Sequence, residues 1–330
     1  MRLRQIFHSL IALLLLLPSF GGTVSAQGNA AACSGKAAVT AGLSAQTIQS
    51  GGETRSYLVY VPANYDPTQP IPLVFSLHGF SSNAREQAGY AHWDKIADSD
   101  PLIAVYPNGT GSPQRWNAGQ RQIAGVREQA RGPLAQFLSG FFESVPADDV
   151  AFMRDLIAHL SDQFCVDSAR IYFNGMSNGG GMTNRLACEL SDQIAAVGMV
   201  SGAYTEFPGG CNPTRPVPVI AFHGITDPIV PYEGNPLINF PAIPTWAADW
   251  AKRDQCSLTS TPIDATKGDV SGVRYTGCAD NAEVDFYTIS DGGHTWPGSR
   301  PTLQFILGKT TQDIDATSTM WAFFKAHPLQ

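Results

Sequence analysis

From Thr54 the chain alternates apolar and polar positions through "TRSYLVYVPANY", which predicts a half-buried strand ending at a Pro/Asn turn. The run "IPLVFSLHGF" that follows is apolar almost throughout and predicts a buried strand delivered into a glycine turn, and "LIAVYPNG" repeats that design. Between them "NAREQAGYAHWDKIADSD" has helical spacing. "DDVAFMRDLIAHLSDQF" is a stronger helix, with Asp148 or Asp149 placed to favour its positive N-terminal end. Further on, "ARIYFNG", "IAAVGMVSGA", "VPVIAFHG" and "EVDFYTIS" read as strands, "GGMTNRLACEL" as a helix, and "ATSTMWAFFKAH" as a closing helix. Strands alternating with helices predict an α/β fold with a mostly parallel central sheet covered on both faces. Sites in such folds gather at the carboxyl ends of the strands.

Two stretches break the rhythm. Residues 117–147, "NAGQRQIAGVREQARGPLAQFLSGFFESVPA", are too long for a plain connection and carry an apolar patch of Phe137, Leu138, Phe141 and Phe142. They are either a lid or wall beside a substrate cleft, or a surface excursion that packs those aromatics onto the core. "NPLINFPAIPTW" is proline-rich and is expected to be a fixed loop beside the site. Neither an internal repeat nor a dividing linker is visible, so residues 27–330 are expected to form a single domain.

The first 26 residues read as an export signal, with Arg2 and Arg4, an apolar run from Leu10 to Leu17, and Val24-Ser25-Ala26 as a cleavage site. The apolar run is shorter than the roughly 20 residues that span a bilayer, which argues against an uncleaved anchor. Secretion, extracellular or periplasmic, is therefore expected, and six cysteines in an exported chain read as disulfides. Spacing does not choose among the roughly 15 full pairings. The pairs favoured are Cys33 with Cys165, Cys188 with Cys211 and Cys256 with Cys278. The lack of a C-x-x-C pair argues against a structural zinc or redox dithiol. The formal charge of -7 becomes -9 without the signal, which makes nucleic acid and anionic membranes poor partners.

Gly175-Met176-Ser177-Asn178-Gly179 matches G-x-S-x-G, and it stands where the mechanism needs it, after a predicted strand and before a predicted helix. The two glycines leave room for a strained turn and for close approach of helix to strand. A serine hydroxyl attacks only when a base takes its proton, so a histidine and an orienting carboxylate are expected downstream. His294, in "SDGGHTWPG" after the strand "EVDFYTIS", fits the base in the chain order Ser, Asp, His. Asp227, in the turn after "VIAFHG", is preferred as the carboxylate over Asp291, because a separate strand end can reach the far imidazole nitrogen. Its alternative role is an Asx turn before Pro228.

Ester cleavage builds negative charge on the carbonyl oxygen, and backbone donors aimed at it contribute most. The N–H of Asn178 opens the helix after the serine, and Phe80 N–H in the "LHGF" turn is the expected second donor. His78 would then hold that turn rather than act as a base.

Together "IPLVFSLHGF", "RIYFNGMSNGGGM", "FHGITDPIVPY" and "GGHTWPG" resemble the exported esterases grouped as feruloyl esterases and polyhydroxybutyrate-depolymerase-like proteins of carbohydrate esterase family one. The resemblance covers about residues 33 to 327. It implies an α/β-hydrolase fold, no cofactor and no metal, and hydrolysis through an acyl-enzyme with Ser177 as nucleophile, Asp227 as acid and His294 as base. The "CSGK" start and the "QC…TGC" pair are also similar to that group, which supports the favoured disulfides. Residues 117–147 depart from the family pattern and put substrate choice in question. A pocket lined by Phe80, Trp116 and Trp296, with Phe141 as a further candidate, would suit a feruloyl group on plant polysaccharide, or a polyester. The function expected is a monomeric secreted feruloyl esterase. Polyester depolymerase and acetylxylan esterase are the rivals in its class, and a non-catalytic polymer-binding protein with a broken triad is the rival outside it.

Overall fold

In this computed structural model the residues described are 33, 35–36, 39–119, 140, 146–264, 267–301 and 303–330. The expected signal at 1–26 and most of the 117–147 excursion lie outside them. Among the described residues ten strands make one sheet: β1 (Gly42–Ser50), β2 (Glu53–Val61), β3 (Ile71–Leu77), β4 (Ile103–Pro107), β5 (Val166–Met176), β6 (Ala196–Val200), β7 (Val219–Gly224), β8 (Thr261–Pro262), β9 (Val270–Tyr275) and β10 (Val284–Ile289). Their spatial order is β1-β2-β4-β3-β5-β6-β7-β10-β9-β8. The run from β4 to β10 is parallel, and antiparallel strands flank it on both sides.

Every residue of β3, β4, β6 and β7 is buried, which is why these strands read as unbroken apolar runs. Alternate side chains feed two cores. Leu73, Phe75 and Leu77 of β3 join one, while Val74 joins the other. The first core is covered by α3 (Asp149–Gln163), α4 (Asn178–Glu189) and α5 (Ile243–Arg253). The second is covered by α1 (Ala84–Ala91), α2 (Trp93–Ser99) and α7 (Ala316–Ala326); a single turn, α6 (Gln304–Leu307), lies before α7.

The expected helix from Asn83 to Asp100 is two helices. Asn83 caps α1 by accepting from the N–H groups of Arg85 and Glu86, and His92, with φ of 50°, breaks the run before α2. At α3 the two aspartates divide their work: Asp148 caps the helix through Ala151 N–H, whereas Asp149 is fully buried against Arg55 at 2.6 Å. The proline-rich stretch is only partly a loop. Pro244 sits in the first turn of α5, where a missing N–H costs nothing, and Ile243, Trp246, Ala247, Trp250 and Ala251 bury one helical face.

The disulfides join Cys33 to Cys165, Cys188 to Cys211 and Cys256 to Cys278, as expected. The two ends of the 117–147 excursion meet. Asn117 Nδ2 donates to Ala147 O at 3.0 Å, Asn117 N–H donates to Asp149 Oδ2 at 2.7 Å, and Arg185 Nη1 donates to Asn117 O at 2.8 Å. No helix among the described residues is long and apolar enough to cross a membrane.

Candidate active site

Ser177 stands between the end of β5 and the first residue of α4, with φ of 56° and ψ of -120°. A non-glycine residue rarely adopts such a conformation, so the surrounding contacts must hold it. They do: Ser177 N–H donates to Val200 O at 3.0 Å, and Ser177 O accepts from Gly181 and Ala203 at 2.9 Å each. The flanking glycines are required sterically. A Cβ on Gly175 would strike the Gly179 carbonyl, and one on Gly179 would strike the carbonyls of Leu77 and His78. The turn therefore lies hard against the end of β3, where a Cβ at Gly79 would come within 3.3 Å of Ser177 Cβ.

His294 and Asp227 meet from different strand ends, β10 and β7. His294 Nδ1 lies 2.8 Å from Asp227 Oδ2, with the histidine 6% exposed and the aspartate 6% exposed. A carboxylate accepts, so Nδ1 carries the proton and Nε2 is left as an acceptor. Asp227 Oδ1 takes the N–H groups of Ile229 and Val230, both at 2.8 Å, which fixes the carboxylate plane. Burial alone would raise the Asp227 carboxyl; the His294 ring, its hydrogen bond, His223 and the Val230 N–H outweigh it and hold the group below the usual range. Asp291, the rival, is half exposed and pairs with Lys309 at 2.7 Å. His223 was visible in sequence only as an "HG" strand end. Its Nε2 donates to Val230 O at 2.9 Å and sits 3.5 Å from Asp227 Oδ2, and burial pushes its pKa down, so it is a neutral neighbour of the carboxylate.

His78 is held as a structural group. Gly109 N–H donates to its Nε2 at 3.0 Å and its Nδ1 donates to Gly79 O at 2.7 Å, which fixes the tautomer; burial lowers its pKa to about 4. Asn178, at the first helical position, has no intrahelical acceptor for its N–H. Its side chain braces the neighbouring loop, with Oδ1 accepting from Trp116 N–H at 2.7 Å and Nδ2 donating to Trp116 O at 3.2 Å.

A cleft of about 560 Å³ opens over these groups, and Ser177, His294, Phe80 and Trp296 all line it. Trp296 shows it only an edge: it is 2% exposed and its indole N–H donates to Thr317 Oγ1 at 3.0 Å. Trp116 is not on the cleft wall, contrary to expectation. It is fully buried, and its indole N–H donates to His78 O at 2.9 Å, so it packs beneath the HG turn. Sequence reasoning missed Tyr90, Ile229, Phe240 and Ile306, which complete a largely apolar lining. Tyr90 sits on α1 and looked like an ordinary helical aromatic.

A parallel-centred sheet carrying a sharp serine turn after β5 and an Asp–His pair from the ends of β7 and β10 defines an α/β-hydrolase. The chain belongs to the phospholipase/carboxylesterase family, whose pattern residues 63–238 match. It is 30% identical over 259 residues to feruloyl esterase B of Piromyces equi, an alignment covering 73% of this chain but 42% of that protein. It is 28% identical over 290 residues to feruloyl esterase C of Emericella nidulans, covering 86% of this chain and 90% of that protein. An acetyl xylan esterase structure from Aspergillus awamori shares the fold, with a TM-score of 0.54 and 13% identity over 86% of this chain and 99% of that one.

Proposed function

We propose that the protein is a secreted serine esterase that releases hydroxycinnamic acids from plant cell-wall polysaccharide. The observation that carries the reading is the Asp227–His294 pair at 2.8 Å, opening on the same cleft as the strained Ser177. Ser177 Oγ attacks the ester carbonyl while His294 Nε2 takes its proton, and the oxyanion is received by the N–H groups of Asn178 and Phe80. Collapse expels the sugar alkoxide, which leaves with the proton held by His294. Water, deprotonated by the same nitrogen, then frees the acid and restores Ser177. The neutral His223 and the N–H groups of Ile229 and Val230 keep Asp227 oriented and charged.

An aromatic acyl group suits a cleft walled by Phe80, Tyr90 and Trp296, and the names of the feruloyl esterase relatives support that choice. Three disulfides and the early apolar run support export. A polyester is the second reading, favoured by Leu237 and Phe305 at 85% and 86% exposure, on segments that also supply cleft residues Ile238 and Ile306. Hydrolysis of methyl ferulate, acetylated xylan and a hydroxybutyrate oligomer, compared side by side, decides between them; preference for the oligomer sinks the first reading. Ser177→Ala should lower hydrolysis by at least about a thousandfold with the fold intact. An active variant would remove Ser177 as nucleophile.

A further inference from the structure

Beyond Phe240 lies a second groove of about 700 Å³. Phe240 lines both spaces, and Ala203 of the cleft is followed directly by Tyr204 of the groove, so the two are neighbours across one ridge. The indole N–H groups of Trp246 and Trp250 converge on Asn184 Oδ1 at 3.0 and 2.9 Å. That pair of donors fixes which way the carboxamide faces, with the oxygen toward the indoles and the amide nitrogen away from them. Asn184 lines the groove at only 7% exposure, and among the described residues its Nδ2 makes no hydrogen bond. The amide nitrogen is thereby the end of Asn184 left for an acceptor in the groove.

The rest of the lining completes a chemical profile. Tyr204 stacks flat on Trp246, with centroids 3.7 Å apart and planes 2° apart, and both rings are nearly buried, so they make a rigid support beneath the groove. The exposed side chains of Glu206, Asn239 and Asp249 stand around it. Carboxylates accept from hydroxyl groups and amides both give and take, so the set fits a ligand rich in hydroxyls. The two carboxylates against Arg253, in a chain of formal charge -7, oppose a polyanion. The Cys188–Cys211 disulfide ties the Cys211 rim to α4, the helix that carries Asn184, which keeps the groove preformed.

Position supplies the last step. Asn184 follows Ser177 by two turns of α4, which at 1.5 Å per residue sets the groove floor about 10 Å along the helix from the serine. We propose that this groove binds the neutral glycan chain bearing the ester, holding it while its acyl group enters the cleft. This rests on the esterase reading and assigns the groove to the sugar side of the same substrate.

Electrophoresis in gels containing soluble arabinoxylan tests binding without catalysis. The native protein should be retarded by arabinoxylan and not by polygalacturonate, and the Glu206→Ala/Asn239→Ala/Asp249→Ala variant should lose the retardation. In that variant the ratio of kcat/KM on a feruloylated arabinoxylan oligosaccharide to that on methyl ferulate should fall about fivefold or more, mainly through KM. Absence of retardation in the native protein, equal retardation by polygalacturonate, or an unchanged ratio would each overturn the proposal. Failure of the esterase reading shows separately, as methyl ferulate hydrolysis that survives Ser177→Ala.

Discussion

Asp254, just past the end of α5, is wholly buried, and replacing it with asparagine should stabilise the protein in a strongly pH-dependent way. Its Oδ1 accepts the Val217 N–H at 3.1 Å, while Oδ2 has no hydrogen-bond partner. Burial pushes the carboxyl up to about 7, against the opposing pull of the Val217 N–H, Arg253 and Arg215. In the unfolded chain the same group titrates near 3.8. Between those values the folded protein holds a proton that the unfolded chain has released. Folding is therefore unpenalised below the unfolded value, loses stability as the pH climbs toward 7, and levels off above it. A gap of roughly three pH units corresponds to at most about 4 kcal/mol. Asp254→Asn imitates the protonated acid, because its oxygen can still accept from Val217 and its NH₂ replaces the hydroxyl. Urea unfolding at about pH 4, 6 and 8 should show parent and variant nearly equal at the acid end, with the variant ahead by a few kcal/mol at the alkaline end. A difference that does not change with pH would refute the argument, as would one that shrinks as the pH rises.

Asp227→Asn should cost about 10³ to 10⁴ in kcat on methyl ferulate with little change in Tm, since an amide NH₂ facing His294 Nδ1 favours the wrong tautomer; a pure KM effect would count against the role. Asp149→Ala strands the Arg55 charge and the Asn117 N–H, and should destabilise by about 3–5 kcal/mol in urea unfolding, whereas a loss below about 1 kcal/mol would mean the pair is solvated. Gly179→Ala drives a methyl group into the carbonyls that end β3, so both thermal stability and ester hydrolysis should drop sharply; a variant with parental values for both would contradict the packing of the serine turn.

What the sequence disclosed was whatever burial writes into residue choice. β3, β4, β6 and β7 are buried along their whole length and were readable as apolar runs, and the serine turn was readable because only glycine fits beside it. β1 was not, because it pairs with β2 along its full length through backbone groups while most of its side chains face solvent, leaving no apolar rhythm. The first turn of α5 reads as part of a loop because three prolines, Pro236, Pro241 and Pro244, precede Thr245, although the last of them merely occupies the opening turn. Trp116 was misplaced for the opposite reason. Its residue type marks a large buried ring, yet type alone does not say whether the ring faces a cleft or the underside of a turn. The choice of Asp227 over Asp291 rested on strand-end topology rather than on composition, and topology is what brings β7 and β10 side by side in register.

The clasp at Asn117, Ala147, Asp149 and Arg185 has an evolutionary consequence. Because Asn117 and Ala147 are fastened to each other and to α3 and α4, the number of residues joining them along the chain can change without moving the sheet, the serine turn or the Asp–His pair. Insertion and deletion between these two ends are therefore a kind of change that the groups gathered at the strand ends can tolerate.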